Sequence, residues 1–417
     1  MNRKYLFLIW IYLFFILFSC NKVKNPASSG IFIYGSDKMP WILRTNTSGM
    51  KVENGNINFF YTSDVTGTAA RSQIDFNPST KAISNNQVFN SDSAHFIIEL
   101  SCVSPQMYIA RTKNLTIDTI LFGELFHPEK LELIDINGKV YKEFNVDVYS
   151  YGFPSFSGVL PLANGNIIAC FGYRSLYYQS VRMYCLDKNL TLLWSRDVYS
   201  GKRSSRFIDF LGLDNSFYLL SKQEFGVDMV KTYEFDFNGV AIDSTEDLMN
   251  GLIPLRILPA SNGFKVLGSY YDATKQNSFA IASYDKGCNL LSLKYLEKEK
   301  FAANNEDIIF DNLTFEYNPL DYAISNIIYH QNKYYFTILV TDNSGNTGNR
   351  KNKFVRLSES FELEKITSIE TGELNITSYR YLIQSGGNRF ISIGSGKWNK
   401  LAGISFIETD LDGKIIN

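Results

Sequence analysis

The chain has 417 residues, 45% hydrophobic and 15% aromatic, with 41 Lys+Arg against 42 Asp+Glu for a net charge of −1. So neutral a surface lacks the basic footprint that nucleic acid demands, which removes nucleic acid from the expected partners. Five Cys are too few for a disulfide-built scaffold, and His95, His127 and His330 lie far apart in no zinc-ligand spacing, so no metal site or cofactor is expected.

The first element is an N-terminal signal. Met1-Asn2-Arg3-Lys4 gives a positive start, Tyr5 to Phe18 an apolar run of 14 residues, and Ser19-Cys20 a small residue before a thiol. A membrane-spanning helix needs roughly 20 apolar residues, so a cleaved signal fits better than a permanent span. Leu17-Phe18-Ser19-Cys20 resembles the lipobox of bacterial lipoproteins, with Phe18 bulkier than the usual residue there. The resemblance implies a signal peptide over 1–19, cleavage before Cys20 and acyl chains (palmitate among them) on that residue. Residues 20–30 (CNKVKNPASSG) then read as a solvated, lipidated tether. The expected location is the cell envelope, at the outer membrane. Lys22 and Lys24, where surface-displayed lipoproteins of Bacteroidota carry acidic residues, leave the side of that membrane open.

From residue 31 onward the chain reads as strands. Phe and Tyr are abundant, at 32 and 26, and Gly/Asn/Asp/Ser clusters interrupt the apolar runs at short intervals. Trp41 to Val52 predicts one hairpin and His95 to Thr112 another, while Ser63 to Asn90 is polar and weakly patterned. A repeat of about fifty residues then sets in. Its marker is a strand, a polar turn and a second strand: LELIDINGKVYKEF around Asp135, MYCLDKNLTLLW around Asp187, YEFDFNGVAIDS around Asp236, IASYDKGCNLLSL around Asp285, FVRLSESFELEKI around Ser358 and SFIETDLDGKII around Asp410. Asn137-Gly138, Asn238-Gly239 and Asp412-Gly413 predict two-residue hairpin turns. The one long interval is accounted for by a polar insertion, Glu297 to Pro319. A second hairpin precedes several of the turns, as in VLPLANGNIIACFGY and ILPASNGFKVLGSYY.

Two hairpins per repeat make a four-stranded antiparallel unit that cannot bury both faces alone. The expected fold is therefore all-β, a single β-propeller over 31–417 with about seven four-stranded blades, six to eight being compatible with the spacing. Stacked sheets or a β-helix are the structural alternative. The layout from Asn164 to Trp194 is similar to the repeats of quinoprotein-like propellers, and the whole resembles the β-propeller lipoproteins of Bacteroidota. No motif for binding a cofactor accompanies that resemblance.

The strands IIACFGY and VRMYCL could bring Cys170 and Cys185 together for a disulfide across a hairpin, with two buried free thiols as the commoner arrangement. The chain contains no G-x-S-x-G, H-E-x-x-H or G-x-x-x-x-G-K-[ST] motif, so no catalytic residue is assigned. Tyr149, Tyr151, Phe153 and Phe156 in a loop between blades, and Tyr177-Tyr178 at a hairpin tip, are candidate ligand-binding aromatics, with sheet packing as the competing role. The expected function is a membrane-anchored binding or scaffold module for an envelope protein or glycan. The alternative is a carbohydrate-active enzyme using carboxylates on the propeller face.

Overall fold

The computed structural model describes the strands from Val23–Lys24 to Leu401–Asp410. From residue 129 onward it describes most of the chain, other than 136–137, 148–156, 175–178, 199–203, 225–228, 249–251, 271–277, 303–305, 309–324, 343–348, 371–373, 399–400 and 417. Seven antiparallel sheets of four or five strands follow one another along the chain, giving a β-propeller. Blade 3 shows the plan: Ser157–Pro161, Ile167–Arg174, Gln179–Leu186 and Leu192–Val198, each paired with the next in order. Blade 2 (Phe96–Ser104 to Val140–Asn145), blade 4 (Ser204–Gly212 to Ala241–Leu248) and blade 5 (Leu252–Ala260 to Leu290–Leu296) repeat it. In blade 6, Glu306–Ile308 and Ile328–His330 share the first strand's place beside Lys333–Asp342.

Blade 7 is completed from the other end of the chain. Leu374–Gln384, Arg389–Trp398 and Leu401–Asp410 are joined by Ile31–Ser36, with Ile31 opposite Ile407 and Ser36 opposite Ala402. Val23–Lys24 adds a short outermost strand, Val23 opposite Tyr34.

The core is a series of inter-blade layers. Ile109, Leu131, Phe171 and Tyr184 fill the space between blades 2 and 3, and Phe217, Phe235, Met183 and Cys185 that between 3 and 4. Equivalent clusters join 4 to 5, 5 to 6 and 6 to 7. Among the described residues, blades 3 to 6 each bury both faces against a neighbour on either side, as the repeat predicts.

The repeating Asp is explained at atomic level. Asp187 Oδ1 accepts hydrogen bonds from the backbone N–H of Asn189 and Thr191 at 2.8 Å each, and Asp236 and Asp410 do the same two and four residues on. The turn differs from the two-residue form expected from Asn-Gly. Only its third residue after the Asp has positive φ, and the loop is the three-residue kind with a glycine-type bulge. That position is Gly at 138, 239 and 413, but Leu190, Cys288 and Phe361 in the other repeats, at φ of 58°, 56° and 59°. All three are buried in the inter-blade core, which offsets roughly 1–2 kcal/mol of left-handed backbone cost.

At Gly413 the alternative is closed. A Cβ there would stand 2.6 Å from Cβ of Phe354 in blade 6, at φ +75°. Gly413→Ala is expected to cost about 2–4 kcal/mol from backbone and overpacking together. Gly165→Ala, also at positive φ but with nothing within 4 Å, should cost only about 1 kcal/mol. Urea unfolding of the two variants checks the difference, and equal losses would refute the packing argument.

The carboxyls of Asp187 and Asp285 are held below the usual carboxylate range, chiefly by the backbone N–H groups of Thr191 and Asn289. A depressed folded-state value means that their contribution is present above about pH 4 and is lost as pH falls through the folded values. The thermal midpoint should accordingly drop between pH 5 and 3. Replacing both with Asn, which keeps an acceptor without the titration, should make that drop shallower.

Several sequence expectations are corrected. Trp41–Ile42 and Lys51–Glu53 both pair with Asn56–Thr62 and not with each other. The polar stretch 63–90 supplies two full strands of blade 1, Arg71–Asn77 and Ala82–Phe89. The insertion is not purely a loop: Phe301 and Ala302 are buried in the layer between blades 5 and 6, and Glu306 pairs with Lys353. Cys170 and Cys185 are buried free thiols rather than a disulfide. Cys170 faces Met183 and Cys185 faces Ile168, so the two are diagonal neighbours. Diagonal neighbours stand about 7–8 Å apart, their Cβ atoms somewhat less, still beyond the roughly 4 Å a bridge requires. Burial also pushes both thiols up, Cys185 to about 11.

Candidate functional site

Strand direction sorts the connections into two ends. The Asp turns and the turns joining first to second strands, such as 162–166 and 213–215, lie at one end, which we call the turn end. The connections 114–128, 148–156, 175–178 and 199–203 all leave from strand termini at the opposite, loop end. Two of them carry the aromatic candidates. Tyr149, Tyr151, Phe153, Phe156, Tyr177 and Tyr178, like Cys20 and His127, lie outside the described residues. The flanking strand ends at Asn145 and Ser157, and at Arg174 and Gln179, belong to the loop end of blades 2 and 3.

The described chemistry at this end is a set of charged groups that the sequence did not single out. Met107–Lys113 and Glu129–Asp135 are neighbouring strands with Arg111 opposite Leu131 and Lys113 opposite Glu129. Arg111 Nε donates to Glu129 Oε2 at 2.8 Å and Lys113 Nζ lies 3.1 Å from Oε1. Arg111 and Glu129 are 1% and 2% exposed, and the guanidinium stands 5.5 Å over the ring of Phe171 in blade 3. Burial of two cations is tolerable because one carboxylate serves both.

On the other face of the same strands, His95 Nε2 lies 2.5 Å from Oε2 of buried Glu132. The imidazole itself is partly exposed, oriented by a carboxylate that is not. Between blades 2 and 3, Arg182 makes a two-point contact with Asp197, Nε to Oδ1 at 2.6 Å and Nη2 to Oδ2 at 2.9 Å, and reaches Asp147 at 3.3 Å. Tyr184 donates to Asp147, and burial followed by that carboxylate holds its phenol well above the ordinary value. These are rigidly supported groups of the kind that position a ligand or a proton.

A sequence signal for them exists in retrospect: MYIARTK and EKLELID carry charges at the ends of otherwise apolar strands. Which charges pair is decided by cross-strand register. His330, the third histidine, lies at the turn end beside Gln384, Tyr335 and Phe390, away from this cluster. Among the described residues no group of three or more His, Cys, Asp and Glu is placed to hold a metal ion, and no helix is long and apolar enough to cross a membrane.

The fold and this loop end define an all-β, seven-bladed propeller. No family model and no curated protein matches the sequence. Solved structures do. Polysaccharide lyase Uly1 is similar at 8% identity and TM-score 0.50, over 90% of this chain and 98% of its own. An ulvan lyase of a new polysaccharide-lyase family, bound to GlcA(1-4)Rha3S, is similar at 7% identity and TM-score 0.52, over 92% and 96%. A neuraminidase-like protein of A/little yellow-shouldered bat/Guatemala aligns at 11% identity and TM-score 0.42, over 74% and 93%. At these identities the likeness is one of fold.

Proposed function

We propose that the chain is an envelope lipoprotein, held to the outer membrane through acyl chains on Cys20, whose propeller binds an acidic glycan, or a protein partner that presents one, at its loop end. The observation that carries this reading is the pair of partly exposed cationic or proton-bearing groups, Arg182 and His95, each fixed by a carboxylate at the same end of neighbouring blades. The guanidinium of Arg182 is bound by Asp197 through Nε and Nη2 and by Asp147 through Nη1, so carboxylate or sulfate oxygens of a ligand would compete with Asp147 for the Nη1 edge. Likeness of fold to proteins named as polysaccharide lyases, over nine-tenths of the chain, supports a glycan over other ligands.

The second reading is an enzyme acting on extracytoplasmic polysaccharide. Its support is the His95–Glu132 pair, since an imidazole oriented by a buried carboxylate is a general acid–base arrangement. One experiment addresses both. The purified full-length protein is incubated with a panel of acidic and neutral polysaccharides, and retention and new reducing ends are measured. Retention of acidic polymers without cleavage, weakened by Arg182→Ala, supports the binding module. Cleavage abolished by His95→Ala supports the enzyme. The absence of all three, retention, cleavage and a cross-linked envelope partner, would sink the proposal.

A further inference from the structure

Asp147 belongs to one blade and its hydrogen-bond donors to the next. It lies two residues beyond Val140–Asn145, the outermost strand of blade 2, in no strand of its own. From blade 3 the Tyr184 hydroxyl donates to its Oδ1, and Arg182 Nη1 reaches Oδ1 and Oδ2 at 3.4 and 3.3 Å. Both donors are held in place by other contacts. The Tyr184 ring is 1% exposed and packs edge-on against Phe144 and Phe171, with centroids 5.2 and 5.9 Å away. Nε and Nη2 of Arg182 are fixed by Asp197 at 2.6 and 2.9 Å. Without Asp147, a phenol O–H and a guanidinium edge would converge on one place at the surface, which is the donor set that receives a carboxylate.

The carboxylate that fills this place is the displaceable member of the group. Its side chain is 65% exposed, against 28% for Asp197, and its contacts to the guanidinium are longer than those of Asp197. An exposed ion pair of this kind contributes little to the fold. The seam between blades 2 and 3 is secured by the buried Arg111–Glu129 pair and the apolar layer around Phe171 and Tyr184. Other seams are tied by side chains that donate to backbone carbonyls, as Trp194 does to Phe237 and Tyr334 to Pro259. A backbone acceptor within a blade stays where it is, whereas the Asp147 side chain can rotate into solvent. Charge points the same way. Two carboxylates already face one guanidinium, so an incoming acid gains most by taking the place of the weaker-held one.

We infer that Asp147 is a resident stand-in for a carboxylate of the ligand, and that a uronate group of a bound glycan takes its place between the Tyr184 hydroxyl and Arg182 Nη1. The inference rests on the proposed glycan site at the loop end and names the acidic group that site receives. Its test measures retention of polygalacturonate, and of the same polymer fully methyl-esterified, by the full-length protein and its Asp147→Ala and Asp147→Asn variants. Removing the competing charge should tighten retention of the acid polymer about three- to tenfold in Asp147→Ala. Asp147→Asn, which keeps an acceptor for both donors, should gain less, and neither variant should gain on the ester. Adding Tyr184→Phe to Asp147→Ala removes only a hydroxyl and should cancel part of the gain. Suppose instead that the unsubstituted protein retains polygalacturonate, and that both variants, with unchanged thermal midpoints, retain it equally or more weakly. The stand-in role is then overturned while the glycan site stands. An equal gain on the ester would overturn it too, since the ester has no carboxylate to seat. Polygalacturonate retained by none of the proteins also ends the inference, and only a blank result across the wider panel of acidic polymers would take the glycan site with it.

Discussion

Glu129→Ala should destabilise the protein by about 3–5 kcal/mol, the cost of leaving a buried cation without its counter-charge. The carboxylate is 2% exposed and serves Arg111 and Lys113 together, so its removal strands two cations between blades 2 and 3. Arg111 cannot turn to solvent without leaving the ring of Phe171. Chemical unfolding measures the loss. The double variant Glu129→Leu with Arg111→Met should recover much of it, because an apolar pair of similar volume removes the uncompensated charge rather than exposing it. A loss below about 1 kcal/mol for the single variant would mean that the site is hydrated and that the ion pairs are not its support.

Under the proposed anchor, Cys20→Ala should abolish incorporation of labelled palmitate and leave precursor that still carries residues 1–19. The thioether attaches to the sulfur, and cleavage before residue 20 follows that attachment, so one substitution blocks both. Two or more acyl chains give stable anchoring where one is marginal. The variant should therefore lose the processed, acylated form completely. Metabolic labelling followed by gel mobility reads both effects. Labelling that persisted in the variant would show that the acyl chains are elsewhere or that the signal is of another kind.

The propeller was legible in the sequence where one residue type did the same work in five of the six marked repeats, Ser358 standing in for it in blade 6. Asp at 135, 187, 236, 285 and 410 caps its own turn, and the chemistry is local enough to be read from spacing alone. Leu190, Cys288 and Phe361 were harder to place, since a bulky residue at positive φ makes sense only once its buried surroundings are known. Blade 1 was only partly legible because two of its strands, Arg71–Asn77 and Ala82–Phe89, are polar and its first strand is split between Trp41–Ile42 and Lys51–Glu53. The charged cluster was illegible for a related reason. Glu129 lies 18 residues from Arg111, and Glu132 lies 37 from His95. Their pairing depends on the register between strands interrupted by an extra hairpin, Thr119–Leu121 with Glu124–Phe126.

The pairing of Ile31 with Ile407 also sets an order of events. Ile31–Ser36, among the first strands made, has its partner among those made last, so blade 7 cannot be completed until Leu401–Asp410 has emerged. Contacts this distant in sequence are slow to form, and until they do Leu401–Asp410 presents a bare edge. Chains cut short before residue 401 would keep six blades' worth of strands and still lack the lock. Closure of blade 7 is thus timed by Leu401–Asp410, although the strand that fastens it, Ile31–Ser36, is among the first made.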